Sequence, residues 1–285
     1  MRVLYVLMSL CLVPFSSECQ LLDNYDTCRT QLYYQNIGNT SNQTHIEKAR
    51  TVQDHGIIYA GFSKQSVNQN ALIIKKNLNG EIVWQKEYGN INYDEQFTDW
   101  RELPNRQILL GGIAKNRITL QSVFFMMLLT PDGNIIWQKS YADIATTSNI
   151  NNAKIYYDNS GQIFFAAQAD SAIIYGMVTN SGVTWQRSIN SNPQTKLIAA
   201  VAYYSRLLIA TNSTDSGYNV SNFYYINYYW TGNPKQIKYS IKLGGPHQNS
   251  HYKIHDYEQY GQYTYFSGIR SVNNAPYKVI RININ

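Results

Sequence analysis

Three copies of one short pattern constrain the fold more than any other feature of this chain. NLNGEIVWQKEYG (Asn77 to Gly89) holds a turn, a strand carrying Trp84 and a glycine stop. It recurs as TPDGNIIWQKSY (Thr130 to Tyr141) and as TNSGVTWQRSI (Thr179 to Ile189). Trp137 follows Trp84 by 53 residues, and Trp185 follows Trp137 by 48. A period near fifty, with one turn and one aromatic strand per unit, belongs to architectures that stack small sheets or arrange them round an axis.

Between these copies the chain alternates short runs rich in Ile, Val, Tyr and Phe with Gly, Asn and Asp turns such as Asn79-Gly80, Asp132-Gly133 and Ser181-Gly182. No helical period intervenes, so the class is all-β. Each unit divides into four strands. In the first, a strand from His45 leads through Asp54-His55-Gly56 to IIYAGFS, then ALIIKKN, then the Trp84 strand. The units fall at about 45–89, 93–141, 150–190, 195–245 and 249–285, with Tyr239 in the place of the tryptophan in the fourth. The fifth ends one strand short. QLYYQNIG, within 29–38, has Tyr33 five residues before Gly38, as Trp84 lies five before Gly89. A solenoid has no reason to share one unit between its termini, whereas a propeller closes its ring that way. The expected fold is a five-bladed β-propeller, closed by an N-terminal outer strand that completes the last blade.

The succession G-x-x-Y-A-G-F-S, A-L-I-I-K and N-G-x-I-x-W-Q-K-x-Y-G resembles the tandem repeats of secreted bacterial and protist β-propellers, distantly quinoprotein-like. The resemblance implies a fold. It carries no catalytic residues onto this sequence, and five blades are fewer than quinone-binding propellers have.

Residues 1–19 read as a secretory signal, with Arg2 ahead of the apolar run Val3 to Phe15, which is too short to span a bilayer. Export is therefore expected, with a single propeller domain over 20–285. The mature chain would keep Cys28, with or without Cys19 according to the cleavage point, so disulfides do not organise the fold. A net charge of +6 is scattered, without the basic run that marks a nucleic-acid partner. No later stretch is long enough for a transmembrane helix; the strongest, Val123 to Leu129, ends at Pro131. Sequons at Asn39, Asn42, Asn212 and Asn219 are candidate glycosylation sites.

Aligning the units places His45, Gln96, Asn151, Thr195 and His251 at the starts of the five inner strands, round one mouth of the central channel. The loops that precede them (NTSNQT, NINYDE, ADIATTSNI, NSNPQ and GGPHQNS) are all polar. Together with Asp94 and Asp99 these residues form the candidate ligand-binding rim, although any loop rim is polar. His45, His247 and His251 suggest a zinc site, but His251 and His255 lie four apart on a strand, about 13 Å, too far to share an ion. No metal and no cofactor is expected. Glycosidases place paired carboxylates at such a mouth; Asp94, Glu95 and Asp99 cluster at unit two, with Glu47 on unit one and Asp256 on unit five, and a hydrolase would use Asp94, Asp99 or Glu47, though no sharply facing pair is evident. The sequence alone favours a secreted, non-catalytic propeller that binds a protein or carbohydrate through its channel-mouth loops. The alternatives are a glycoside-active hydrolase and a surface adhesion or coat component.

Overall fold

The computed structural model describes residues 43–65, 68–144, 149–158, 160–192, 194–203, 206–227, 237–245, 250–260, 263–272 and 278–284. All of them belong to the compact unit Asn39–Asn285. The proposed closing strand with Tyr33, the signal segment, His247, and the sequons at Asn39 and Asn42 lie outside the described residues.

The fold is the expected five-bladed β-propeller. Blade one is β1 (Gln43–Thr51), β2 (Ile57–Gln65), β3 (Asn68–Lys76) and β4 (Ile82–Tyr88). Blade two is β5 (Tyr93–Glu102), β6 (Ile108–Asn116), β7 (Ser122–Leu129) and β8 (Ile135–Tyr141). Blade three is β9 (Ile150–Tyr157), β10 (Ile163–Ala169), β11 (Ala172–Val178) and β12 (Val183–Asn190). Blade four is β13 (Lys196–Tyr203), β14 (Arg206–Asp215), β15 (Tyr218–Asn227) and β16 (Ile237–Leu243). Blade five shows three strands, β17 (Ser250–Tyr260), β18 (Tyr263–Val272) and β19 (Lys278–Ile284). Every sheet is an antiparallel meander in sequence order.

The cores lie between blades. Val52, Ile58, Ala60 and Ile73 of blade one pack on Phe97, Trp100, Leu110 and Phe125 of blade two. Comparable clusters join blade two to three, three to four and four to five. The middle strands are therefore apolar on both faces; β6 and β7 are buried almost throughout. The outer strands β4 and β8 alternate exposed and half-buried residues, because only one of their faces meets a neighbour.

The recurring W-Q-K-x-Y pattern latches the outer strands β4 and β8 to the next blade. Trp84 Nε1 donates to Pro131 O (3.1 Å), Lys86 Nζ to Asn134 Oδ1 (2.8 Å) and Tyr88 Oη to Gly133 O (2.7 Å). Tyr141 Oη repeats the last bond on Thr179 O (2.7 Å). The receiving turn is the tight Asp132-Gly133 bend, where Gly133 has φ +76°, a left-handed conformation that favours glycine.

The inner strands are bulged. Register slips between Ile46 and Lys48 in β1, Phe97 and Asp99 in β5, Leu197 and Ala199 in β13, and Ile254 and Asp256 in β17. Opposite three of these slips stand Gly61, Gly112 and Gly268. A Cβ there would come within 2.0 Å of His45 O, 2.4 Å of Gln96 O and 2.3 Å of Lys253 O. The glycines allow the bulged backbone to press against the second strand. Bulges of this kind bend a strand and re-aim its side chains.

Candidate functional site in the channel

The first strand of each sheet is an edge, and its free backbone groups need partners. Side chains from the preceding blade supply them. Arg50 Nη1 donates to Trp100 O. Thr98 Oγ1 donates to Ala153 O (2.8 Å), Arg101 Nε donates to Ile155 O (3.3 Å), and Asp99 Oδ2 accepts from Ile155 N (3.2 Å). Gln168 donates to Thr195 O and accepts from Leu197 N (2.8 Å). Asn212 donates to Ile254 O (2.6 Å) and accepts from Ile254 N (3.1 Å). Bulged inner strands and cross-blade clamps together aim a set of charged groups inward.

Asp99 is the centre of that set. It is 1% exposed. Its Oδ1 accepts from Trp100 N (3.0 Å) and pairs with Arg50 Nη2 (3.2 Å), while Oδ2 takes Ile155 N. Burial alone would push its carboxyl upward, but the charges of Arg50, Arg101, Lys154 and Lys48 outweigh burial and hold it down at about 2. Lys154 Nζ donates to Thr98 O (2.9 Å), next to Asp99 in the chain. Burial, aided by repulsion from Lys48 and Arg50, holds the Lys154 ammonium below its usual value, while Asp99 and Glu47 pull the other way.

Tyr257 of blade five is the second focus. Its Oη accepts from Arg101 Nη2 and, at 3.5 Å, from Arg50 Nη2. The Lys48 ammonium stands 5.3 Å from the ring centroid, the Arg101 guanidinium 5.4 Å and the Arg50 guanidinium 5.9 Å, all within cation–π range. Burial raises the Tyr257 hydroxyl above its ordinary value, and Arg101 and Arg50 offset part of the rise. The phenol is neutral at pH 7 and ties blades one, two and five together through the channel.

The residues expected at the rim do not form one site. His45 stacks on Phe62 at 5.1 Å and meets Glu47 Oε1 at 3.2 Å. Asp94 pairs with Arg117 at 2.8 Å and accepts from Gln69 N (3.3 Å), while Gln96 accepts from Gln69 Nε2 (3.3 Å). Asn151 is exposed on β9. Thr195 is buried and bonded to Asn192. His251 stacks on Tyr218 at 4.8 Å, with Nδ1 accepting from Asn219 N (3.2 Å). These residues are engaged separately, with Asp94 and Gln96 meeting Gln69 of blade one and His251 meeting Tyr218 and Asn219 of blade four. Of the acids, Asp99 belongs to the interior of the channel and not to its rim. Among the described residues, no three His, Cys, Asp or Glu side chains stand close enough to hold a metal ion.

The sequon at Asn212 is corrected by the structure. Its Nδ2, the atom a glycan would need, is buried on Ile254 O, and its Oδ1 also accepts from Ser221 Oγ (2.8 Å). Asn212 is a structural clamp.

Sequence reading missed Lys48, Arg50, Arg101, Lys154 and Tyr257. The signal was present in HIEKAR, DWRE and AKIYY, where charges sit inside runs that are otherwise strand-like. Cations on inner strands, rather than on loops, mark side chains turned to the axis.

No family model and no curated protein matches this sequence. Solved structures do match in shape. A protein of unknown function from Dyadobacter fermentans superposes with TM-score 0.52 at 10% identity, over 82% of this chain and 74% of its own. A GH43 β-xylosidase/α-arabinofuranosidase from a compost metagenome, in complex with xylotriose, gives 0.46 at 11% identity, over 84% and 92%. A GH43_1 enzyme from Xanthomonas citri, also with xylotriose, gives 0.47 at 10%, over 84% and 88%. At such identities the likeness establishes the fold and no more. The expectation of a non-catalytic module that binds through rim loops is nevertheless corrected. The expected rim residues do not come together in one site, while charge collects in the channel.

Proposed function

We propose that the protein is a glycoside-active hydrolase whose chemistry takes place in the propeller channel, with Asp99 and Glu47 as the working carboxylates. The observation that carries the reading is that Asp99 Oδ1 pairs at 3.2 Å with Arg50 Nη2 of β1, the strand whose bulge carries Glu47. Glycosidases need two carboxylates within about 5–10 Å of each other. Asp94 and Glu95 cannot serve as the partner of Asp99. They lie five and four positions earlier on the same strand, about 13 Å or more away. Glu47, the extra residue of the β1 bulge, comes from another blade and is free of that restriction.

The two carboxylates take different roles. Asp99 is ionised at any working pH and does not donate a proton. Three N–H groups occupy it, and a carboxylate has about four acceptor sites. Its buried charge would act through its field, stabilising a sugar carbon that becomes positive in the transition state. Glu47 keeps about a third of its side chain exposed, so it is the carboxyl assigned the acid role. The GH43 galactosidase and β-xylosidase/α-arabinofuranosidase of similar shape suggest the probe class: aryl xylosides, arabinofuranosides and galactosides. Turnover should fall about 10²–10⁴-fold in Glu47→Gln, and likewise in Asp99→Asn, while Asp94→Asn stays near wild type. No turnover of any aryl glycoside, or full activity in both channel variants, rejects the assignment.

A further inference from the structure

A single exposed aliphatic side chain needs no explanation, but several held together at one corner call for a partner. Three meet at one end of blade two. Ile91, just before β5, is 75% exposed; Ile118 and Leu120, in the turn between β6 and β7, are 84% and 57% exposed. The two segments touch: Arg117 N donates to Asn92 O (3.0 Å), and Arg117 Nη1 donates to Ile91 O (3.1 Å).

The corner is firmly built. Asn116 closes the turn, with its N donating to Gln121 O (2.8 Å) and its O accepting from Leu120 N (2.9 Å). Its Oδ1 accepts from Ile118 N and Thr119 N, at 2.9 Å each. The Arg117 guanidinium is pinned by Asp94 (2.8 Å) and by Asn68. Leu120 has a φ of 60°, a left-handed conformation that glycine or asparagine adopts at lower cost. The turn therefore has no need of a leucine there, yet it holds one outward.

The surrounding charge is basic. Asp94 is spent on Arg117, and Glu95 is half-buried with a hydrogen bond from the Asn90 backbone. Lys115 stands opposite Asp94 in the β5–β6 register; Lys64 stands opposite Gln69, whose N donates to Asp94 (3.3 Å). Both lysines are exposed and, among the described residues, neither has a carboxylate partner. Three aliphatic side chains fall well short of the roughly 800 Å² per partner that a stable protein interface buries, so a second copy of the chain is not the fitting occupant. A projecting apolar tip flanked by lysines suits a bilayer surface instead: the aliphatic groups pass below the headgroups and the ammonium groups meet anionic ones.

We infer that Ile91, Ile118 and Leu120 form a membrane-docking tip that inserts shallowly into a bilayer surface carrying anionic headgroups. The inference is independent of the hydrolase reading. Docking there would turn the mouth at which β5 begins toward the bilayer.

The test is sedimentation of the full chain with vesicles of phosphatidylcholine, alone or mixed with phosphatidylserine. Wild type is compared with Ile118→Ser/Leu120→Asn, with Lys64→Gln/Lys115→Gln, and with Ile136→Ser, which removes an exposed aliphatic at the far end of the blade. Asparagine suits the left-handed turn, so the tip variant should melt like wild type. Wild type should pellet with the mixed vesicles, and the tip variant should partition about tenfold or more weakly. The lysine variant should lose only the preference for phosphatidylserine, and Ile136→Ser should match wild type. The apolar run Val3 to Phe15 is common to all four proteins, so only the difference made by the tip counts. Equal wild-type binding to both vesicle types, still lost in the tip variant, upholds insertion and refutes the anionic preference. No pelleting of wild type, or equal pelleting of the tip variant, overturns the tip. A lipid-free dimer that the tip variant abolishes assigns the corner to a second copy and overturns it too.

Discussion

Acid should weaken this protein through Asp99, and the amount follows from its surroundings. The carboxyl drops from an ordinary 3.8 to about 2 in the folded chain. A group depressed by folding contributes stability that is complete above its unfolded value and disappears as pH falls through the folded one. The window therefore runs from 3.8 down to about 2. A shift of nearly two units corresponds to about 2 kcal/mol. Urea unfolding measured at several pH values in that window, for wild type and for Asp99→Asn, isolates the contribution. Other carboxylates, such as Asp54 paired with Lys75, titrate in both proteins and cancel. The variant should be less stable at neutral pH by about 3–5 kcal/mol, because four cations lose their buried partner. Its deficit should shrink by about 2 kcal/mol across the acid window. A deficit that stays constant with pH would refute the claim that the channel cations hold Asp99 ionised.

Gly61→Ala and Gly112→Ala should each cost at least about 3 kcal/mol, because the new Cβ meets a bulge carbonyl; Gly182→Ala, with open space around it, should melt like wild type. Asn212→Ala leaves Ile254 N and O without partners and should cost about 2–4 kcal/mol, seen as a fall of several degrees in Tm. Peptide mapping of protein from a glycosylating host should find Asn212 unmodified, and a glycan there would contradict its buried clamp. Burial lifts the Tyr88 and Tyr141 hydroxyls to about 12. Their latches should therefore hold below pH 10 and fail as pH rises through about 12. Tyr88→Phe/Tyr141→Phe should lose that alkaline sensitivity in a pH-dependent melt.

The repeat was readable because its cause is local. A glycine or asparagine turn, a strand and an aromatic at fixed spacing are written in consecutive residues, and five such units imply a ring. Even Gly61, Gly112 and Gly268 can be found in GFS, GGI and SGI, although only the register shows that each faces a bulge.

The channel was not readable in the same way. Arg50, Asp99, Lys154 and Tyr257 come from four blades, up to 207 positions apart, and no spacing rule links them. Read locally, Asp99 is one acid among Asp94 and Glu95. Closing the blades removes it from water and places cations round it, while leaving Asp94 at the rim with Arg117. The sequence determined the blade, its turns and its number, since those depend on short-range patterning. The tertiary structure alone decided which polar residues became clamps and which became a charged site. That choice is made by desolvation and by electrostatic interaction between strands, and both exist only once the blades are packed around the axis.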